Sequence, residues 1–243
     1  MSFILHLGDC LDPVTGMASL ADKSVDHVIT DPPFENDAHT NQRRVKRGKG
    51  SGSAVGDRMS IEPLPFPPIT EDERTATSLQ AGRLAKRWGL IFCQVEASQD
   101  WRFSCEDAGL VYRRTCVWIK PDGMPQYSGD RPGMGHETIV AMHAAGASTW
   151  NGGGAHGVWI VPKGGDERAG HPTQKPLALM EKLVRLFTDH GETILDPFAG
   201  SGTTGVAAIR LGRNFIGWEK DPKYHAIALR RLTNAREQLE LCK

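Results

Sequence analysis

Hydrophobic and polar positions divide the chain into short apolar runs and longer stretches with helical periodicity. Short apolar runs bounded by polar residues or glycine are typical of buried strands. They occur at residues 3–7, 25–30, 90–94, 111–120, 136–143, 193–195 and 214–218. The stretches between them predict helices at residues 71–88, 97–108, 177–189, 203–211 and 222–239. This alternation predicts an α/β fold with a mainly parallel, seven-stranded sheet.

Two helix starts carry local signals. Thr70 precedes three acids and forms a capping-box pattern with Glu73 at the start of helix 71–88. Asp12-Pro13 places a capping residue before a proline in the first helical position, which predicts a short helix there.

The composition fits a single domain over residues 1–243. A chain of 243 residues, 39% of them hydrophobic, can form one sizeable core with a small insertion. The sequence has no apolar run of 18 residues, so no membrane span is predicted. Five cysteines without a C-x-x-C pair indicate a reduced cytosolic protein with no zinc site. Lys plus Arg and Asp plus Glu balance at 29 each, so net charge does not indicate a nucleic-acid partner.

Residues 193–221 predict a β-α-β unit with an acid at the end of each strand. Asp196 ends the first strand, and the tight turn Gly200-Ser201-Gly202 follows it. Glu219 ends the second strand, at the position where an acid usually binds the two hydroxyls of a ribose. Ligands of open α/β sheets bind outside the carboxyl ends of the strands, so this unit predicts a nucleotide-like ligand.

The identity of that ligand is a question of charge. Gly200, Gly202 and Gly205 satisfy G-x-G-x-x-G, so a nicotinamide dinucleotide is one alternative. Its pyrophosphate would lie near Asp196, which would repel it. S-adenosylmethionine carries a sulfonium and an ammonium group but no phosphate, and an acid at Asp196 favours it. S-adenosylmethionine is therefore the expected cofactor.

A second segment with candidate functional residues, Asp31-Pro32-Pro33-Phe34, follows the apolar run 25–30. The prolines restrict the backbone, and Asp31 is held extended because it precedes a proline. The Asp31 carboxylate and the Pro32 carbonyl could each accept one hydrogen of an exocyclic amine, while Phe34 stacks on the ring. A rigid turn with a core aromatic is the alternative interpretation. The position after a strand, in a chain with a cofactor turn, favours a catalytic site.

A basic stretch lies within residues 35–68, which lack periodicity and predict a mobile loop. A solvated loop and an arm that contacts DNA phosphates are both open interpretations. The candidate DNA-binding residues are Arg43, Arg44, Lys46, Arg47 and Lys49.

Two motifs resemble the amino-methyltransferases of DNA. They are Asp-Pro-Pro-Phe at residues 31–34 and Asp-Pro-Phe-Ala-Gly-Ser-Gly-Thr-Thr at residues 196–204. The catalytic segment comes first and the cofactor turn last, which resembles the β class, a circular permutation of the Rossmann-like methyltransferase fold. Gly8-Asp9-Cys10, Val117-Trp118-Ile119-Lys120 and His-Pro-Thr-Gln-Lys-Pro at 171–176 are similar to further segments of that class. The resemblance implies a target-recognition insertion at residues 121–170.

The resemblance also implies roles for individual residues. Asp31, Pro32, Pro33 and Phe34 would be catalytic. Asp9 and Cys10 would contact the cofactor's adenine, and Glu219 its ribose. The remaining cofactor-binding candidates would surround its methionine part, and they are Thr173, Gln174, Lys175, Asp196, Phe198, Ala199, Gly200, Ser201, Gly202, Thr203 and Thr204.

The implied reaction is methylation of adenine N6 in double-stranded DNA. Cytosine-N4 methylation is the nearest alternative, although those enzymes mostly begin the catalytic quartet with Ser. Carbon-5 methylation of cytosine is excluded because it needs a cysteine nucleophile, usually after proline, and no Pro-Cys occurs.

RNA or protein amide methylation, a nicotinamide oxidoreductase and a non-catalytic DNA-binding module are more distant alternatives. The expected location is the cytoplasm, with the protein bacterial or phage-encoded and associated with the nucleoid. A homodimer and a cognate restriction nuclease are the partners left open.

Overall fold

The computed structural model describes residues 1–35, 66–123, 132–164 and 174–241. Within these residues one mixed sheet has the strand order β1-β8-β7-β2-β3-β5-β4-β6. Its strands are β1 (Phe3–Leu7), β2 (His27–Thr30), β3 (Trp88–Cys93), β4 (Val111–Ile119), β5 (His136–His143), β6 (Val158–Ile160), β7 (Thr193–Asp196) and β8 (Asn214–Glu219). The predicted α/β class is therefore confirmed.

Strand β5 is antiparallel to both of its neighbours, β3 and β4, while the other described pairs are parallel. Its first residue, His136, is opposite Ile119, the last residue of β4. Its third residue, Thr138, is opposite Cys93, the last residue of β3. The start of β5 thus lies at the edge where the parallel strands end.

Helices cover both faces of the sheet and give a three-layer architecture. The α-helices of the described residues are α1 (Glu71–Leu84), α2 (Ser98–Asp107), α3 (Leu177–Phe187), α4 (Thr203–Arg210) and α5 (Pro222–Leu241). Buried side chains of α1 and α2 form one hydrophobic core with the sheet. Those of α3, α4 and α5 form the other core.

Strand β3 shows why the central strands read as continuous apolar runs. Trp88, Leu90 and Phe92 join the core under α3 and α4. Ile91 and Cys93 point to the opposite face and join the core under α1 and α2. Successive strand residues point to opposite faces, so a strand covered by helices on both sides is apolar throughout.

Helix α1 begins as predicted but ends earlier. The capping box is present, with the Glu73 backbone N–H donating to Thr70 Oγ1 at 3.2 Å and the Thr70 N–H donating to Glu73 Oε2 at 2.8 Å. The predicted extension to residue 88 is wrong, because Ala85 is extended and pairs with Val25. The Lys86 N–H then donates to the Val25 carbonyl at 3.0 Å, so the chain leaves the helix to join the sheet.

The short helix predicted at Asp12-Pro13 is also wrong. Asp12 Oδ1 instead accepts from the N–H groups of Val14 and Thr15, at 2.9 and 2.7 Å, and closes a side-chain-stabilised turn. A single 3-10 turn at Met17–Ser19 follows. Asp side chains compete in this way with helical backbone bonds.

The predicted count of seven strands is corrected by β6, whose residues lie in the irregular segment 121–170 and pair in parallel with the end of β4. The predicted basic loop 35–68 falls largely outside the described residues. The single-domain boundaries, the recognition insertion and the circular permutation stay predictions. Among the described helices, none is both long and apolar enough to cross a membrane.

Candidate active site

A cavity of about 1020 Å³ opens at the edge of the sheet where the parallel strands end. The ends of β1, β2, β7 and β8 bring the predicted strand-end acids to it. Of the described candidate site residues, all except Gly202 line this cavity: Asp9, Cys10, Asp31, Pro32, Pro33, Phe34, Gln174, Lys175, Asp196, Phe198, Ala199, Gly200, Ser201, Thr203, Thr204 and Glu219. The fold therefore gathers both chemical segments at one site.

The turn between β7 and α4 depends on two glycines with positive φ. Gly200 has φ 53° and Gly202 has φ 81°, a backbone region that side chains rarely adopt. Gly202 is also the residue before α4, and a Cβ there would lie 3.0 Å from Cβ of Ala228 in α5. Gly202 thus allows the turn and the packing of α5, while its neighbours form the cavity wall.

Arg231 of α5 supports this turn from behind. Its Nη1 donates to the Ser201 carbonyl at 2.6 Å and lies 3.3 Å from Thr203 Oγ1. Sequence reasoning missed Arg231, because it lies 30 residues beyond Ser201 on an otherwise ordinary helix. A charged donor on two groups of the turn holds the cavity wall in place.

Asp196 is buried at the end of β7. Its Oδ1 accepts from Thr30 Oγ1 at 2.8 Å and from the Phe198 N–H at 3.1 Å. Burial raises the pKa of Asp196 to about 6, although hydrogen bonds from Thr204 and Thr30 oppose that shift. The carboxylate therefore organises the turn as well as lining the cavity.

Glu219 ends β8 beside the ends of β1 and β7. Its Oε1 accepts from the Asp221 N–H at 2.8 Å, which fixes the side chain at the cavity wall. Burial raises the pKa of Glu219. The Gly8 N–H donates to the Glu219 carbonyl at 3.0 Å, so Asp9 and Cys10 lie next to this acid.

Asp31 lies directly beyond β2 and has two unequal oxygens. Its Oδ2 accepts from Lys175 Nζ at 2.6 Å. Its Oδ1 is buried and has no hydrogen-bond partner among the described residues. Burial raises the pKa of Asp31 to about 6; the charge of Lys175 opposes this shift, and that of Glu137 adds to it. An acceptor without a partner beside a cavity suits a ligand that brings its own N–H.

Lys175 connects Asp31 to Glu137 on β5. Its Nζ lies 3.2 Å from Glu137 Oε2, and Glu137 Oε1 accepts from Lys120 Nζ at 3.1 Å. Burial would lower the pKa of Lys175, but the charges of Asp31 and Glu137 raise it. Burial would likewise raise the pKa of Glu137, but Lys175 and Lys120 lower it. The four residues form one charge-alternating chain.

Glu137 was missed by the sequence reasoning, which looked for acids only where apolar runs end. Glu137 is the second residue of β5 and reaches the cavity because that strand runs in the opposite direction. A charged residue at the start of an otherwise buried strand was the available signal. Lys120 was noted only as part of a motif.

The cavity wall next to Asp31 contains Pro32, Pro33 and Phe34. The Phe34 ring centroid lies 5.2 Å from Lys175 Nζ, within the range of a cation–π contact. Asp122 accepts from the N–H groups of Lys163 and Gly164, both at 2.7 Å, and these two residues line the cavity. Thr173 and the basic candidates Arg43, Arg44, Lys46, Arg47 and Lys49 lie outside the described residues.

Part of the chain is similar in sequence to known DNA methylases. Residues 144–230 match the family model described as DNA methylase. A type II methyltransferase, M.BglI of Bacillus subtilis, is 41% identical over 90 residues, which are 36% of this chain and 25% of the relative. Another, M2.DpnII of Streptococcus pneumoniae, is 56% identical over 62 residues, 26% of this chain and 23% of the relative. The alignments thus span about a quarter of the length of these relatives.

Solved structures match the chain over nearly its whole length. The M1.HpyAVI–SAM complex is 25% identical, with a TM-score of 0.69, and the match covers 95% of this chain and 98% of that one. PvuII DNA methyltransferase, cytosine-N4-specific, has the same TM-score at 17% identity, with coverage of 98% and 92%. The resemblance to DNA amino-methyltransferases is confirmed, and the fold is that of solved DNA methyltransferases.

Proposed function

We propose that this protein transfers a methyl group from S-adenosylmethionine to N6 of adenine in double-stranded DNA. One observation carries the proposal: a single cavity brings Asp31, whose Oδ1 has no hydrogen-bond partner among the described residues, to the glycine turn and to Glu219. An acceptor for an amine and a binding wall for a nucleoside are the two parts that the reaction needs.

The donor set of the cavity suits S-adenosylmethionine. Four acids line its cofactor side, namely Asp9, Asp196, Glu219 and Asp221. This charge favours a sulfonium and an ammonium group and disfavours the pyrophosphate of a dinucleotide. Glu219 would hold the ribose hydroxyls, and the turn would hold the methionine part. When bound, the cofactor supplies an electrophilic methyl group; the complex of M1.HpyAVI with SAM supports this choice.

The base-side residues would orient the amine that is methylated. Asp31 and the Pro32 carbonyl each accept a hydrogen bond from one N–H of the amine. The nitrogen lone pair is then less delocalised into the ring and can attack the methyl group. Phe34 stacks on the base, which must leave the helix because its amine is out of reach in the stack. Positioning and aimed acceptors then provide most of the acceleration.

The choice of adenine rests on Asp31 at the head of the quartet, since cytosine-N4 enzymes mostly have Ser there. PvuII DNA methyltransferase, which is cytosine-N4-specific, shares the fold, so cytosine N4 is the competing product. The homodimer, the cognate nuclease and the cytoplasmic, nucleoid-associated location stay predictions.

Identification of the methylated nucleoside tests the proposal. The protein is incubated with isotope-labelled S-adenosylmethionine and duplex DNA of diverse sequence, and the DNA is digested to nucleosides for mass spectrometry. We expect labelled N6-methyladenine, with transfer of label by Asp31→Ala slowed by about 10²–10³-fold. Labelled N4-methylcytosine would assign the alternative base. Parallel incubations replace the DNA with RNA or with protein. Label in RNA or in a protein amide, with none in DNA, would overturn the proposal, as would NADH binding without binding of S-adenosylmethionine.

A further inference from the structure

The chain Asp31–Lys175–Glu137–Lys120 is more elaborate than a contact between a lysine and a cofactor would require. Lys175 comes from the segment before α3, Asp31 from the end of β2 and Glu137 from the start of β5. Lys175 Nζ lies 2.6 Å from Asp31 Oδ2 and 3.2 Å from Glu137 Oε2. The ammonium group therefore bridges two carboxylates from different strands.

Lys175 needs both carboxylates because its side chain is only 8% exposed. A buried ammonium group is costly unless it is paired and hydrogen-bonded. A lysine side chain also has much rotamer freedom to lose. Glu137 Oε2 forms the second ion pair with the ammonium group at 3.2 Å, and Lys120 holds Glu137 in turn with a 3.1 Å hydrogen bond.

We propose that Lys175 and Glu137 are positioning residues: Glu137 holds Lys175 on Oδ2 of Asp31, so that Oδ1 is kept as the acceptor for the amine. This role rests on the proposed function. It differs from the cofactor contact that the sequence motif assigned to Lys175. The geometric observation behind it is a carboxylate with one oxygen held by Lys175 and the other, Oδ1, without a hydrogen-bond partner in the part of the chain that the structure describes.

The charges around Asp31 give the proposal a measurable signature. Lys175, Glu137 and Asp196 are the charged groups that influence Asp31. Burial raises the pKa of Asp31, the positive charge of Lys175 opposes this shift, and the negative charges of Glu137 and Asp196 add to it. With the geometry otherwise unchanged, removing Lys175 therefore raises the pKa of Asp31 and removing Glu137 lowers it.

The test compares Lys175→Met with Glu137→Gln. Lys175→Met should move the acid limb of single-turnover methylation to higher pH by about one unit or more, since a neighbouring opposite charge typically shifts a carboxyl pKa by 1–3 units. Glu137→Gln should move that limb to lower pH. Its plateau rate should still fall roughly 10- to 100-fold, because Lys175 loses its second ion pair and no longer orients the Asp31 carboxylate.

A second readout does not depend on methylation. With aspartate labelled by ¹³C at the carboxyl carbon, NMR can follow the titration of Asp31. Its midpoint should lie at higher pH in Lys175→Met, and at lower pH in Glu137→Gln, than in the unmodified protein. The resonance is assigned from its absence in Asp31→Asn. Lys175→Arg should keep the acid limb near its original pH, because the positive charge is retained, while the plateau rate falls.

Two controls separate positioning from folding and from cofactor binding. Lys182→Met makes the same change on the exposed side of α3 and should leave the Asp31 titration unchanged. Affinity for S-adenosylhomocysteine should change less than threefold in Glu137→Gln. If Lys175→Met fails to fold, Lys175→Arg and Glu137→Gln carry the test.

The proposal is overturned if the Asp31 titration is the same in all variants, or if the loss in Lys175→Arg and Glu137→Gln is entirely in cofactor affinity. A failure of the proposed function has a different signature, in which the unmodified protein methylates no nucleic acid. The NMR titration then still decides whether Lys175 and Glu137 set the state of Asp31.

Discussion

The hydroxyl of Thr30 donates a 2.8 Å hydrogen bond to Oδ1 of Asp196, across 166 positions of sequence. Thr30 is the last residue of β2 and precedes Asp31, while Asp196 is the last residue of β7 and precedes the glycine turn. One buried hydrogen bond therefore joins the proposed base side of the cavity to its cofactor side.

Thr30→Val should break this connection without changing the side-chain shape. The Asp196 carboxylate would keep the Phe198 N–H but lose a donor in a buried site, which typically costs about 1–3 kcal/mol of stability. Urea denaturation measures this loss, and calorimetry should show weaker cofactor binding. Thr30→Ser keeps the hydroxyl and should lose less stability and less cofactor affinity than Thr30→Val. A Thr30→Val protein as stable as the original would show that the bond is not needed.

Asp31→Ala should separate catalysis from cofactor binding. It removes one aimed acceptor at the nitrogen where positive charge develops, a loss that typically costs ~10²–10³ in rate, about 3–4 kcal/mol. Cofactor affinity should fall by at most about tenfold, or ~1.4 kcal/mol, because other residues bind the cofactor. Single-turnover methylation and cofactor titration are the measurements.

Two outcomes would contradict that assignment. Methylation within a few-fold of the original rate would show that Asp31 does not orient the amine. A parallel loss of rate and cofactor affinity would make Asp31 a cofactor ligand instead. Phe34→Ala is the comparison variant, since it should mainly weaken capture of the flipped base, by roughly 1–3 kcal/mol.

The rate of methylation should have an acid limb near pH 6. In the proposed reaction, the ionised Asp31 carboxylate accepts a hydrogen bond from the amine, and burial raises the pKa of Asp31 to about 6. The active form is therefore present above that pH, and the rate falls about tenfold per pH unit well below it. Asp196 has a similar pKa, so the profile is measured at saturating cofactor. The same limb persisting in Asp31→Asn would assign it to another group.

Glu192 should make stability fall at low pH. Burial alone would raise its pKa, but hydrogen bonds from His27, the Asp189 N–H and Arg87 lower it to about 2, below the ordinary value of 4.5. Because the folded pKa is the lower one, its stabilisation is complete above about pH 4.5 and is lost as pH falls towards 2. The stability difference between the original protein and Glu192→Gln should shrink over that window.

Thermal unfolding between pH 3 and pH 7 measures this difference. Glu181→Gln is the matched control, because Glu181 Oε1 lies 3.7 Å from Arg210 Nη1 in a looser ion pair. Its difference from the original protein should be small across the range. A Glu192→Gln difference that does not change with pH would contradict the prediction.

The basic candidates outside the described residues give a prediction about DNA. Changing Arg43, Arg44, Lys46 and Arg47 to Ala should weaken binding to all DNA sequences. It should also lower the salt dependence of binding by roughly 0.9 for each phosphate that is no longer neutralised. Binding titrations over a range of salt concentrations measure the slope, with Lys182→Ala as the control. An unchanged slope would favour a loop that does not touch DNA.

Local signals explain what could be predicted from the chain. The apolar runs ending in Asp31, Asp196 and Glu219 indicated three acids at one edge, since parallel strands end together. Prolines after Asp31 and glycines after Asp196 indicated rigid and tight turns from backbone sterics alone. The predicted end of α1 was wrong because Ala85 pairs with Val25 instead of continuing the helix. Val25 is distant in sequence, and helix propensity does not include such a pairing.

The sequence by itself determined the α/β class, the glycine turn and the two chemical segments, because these depend on periodicity and on residues next to one another. Only the tertiary structure decided that β5 runs antiparallel, that Glu137 therefore reaches the cavity, and that Lys175 bridges it to Asp31. Hydrophobic periodicity is the same for either strand direction, so it cannot show which end of a strand meets the site. That direction is fixed by hydrogen bonding to strands distant in sequence, which is a property of the folded chain.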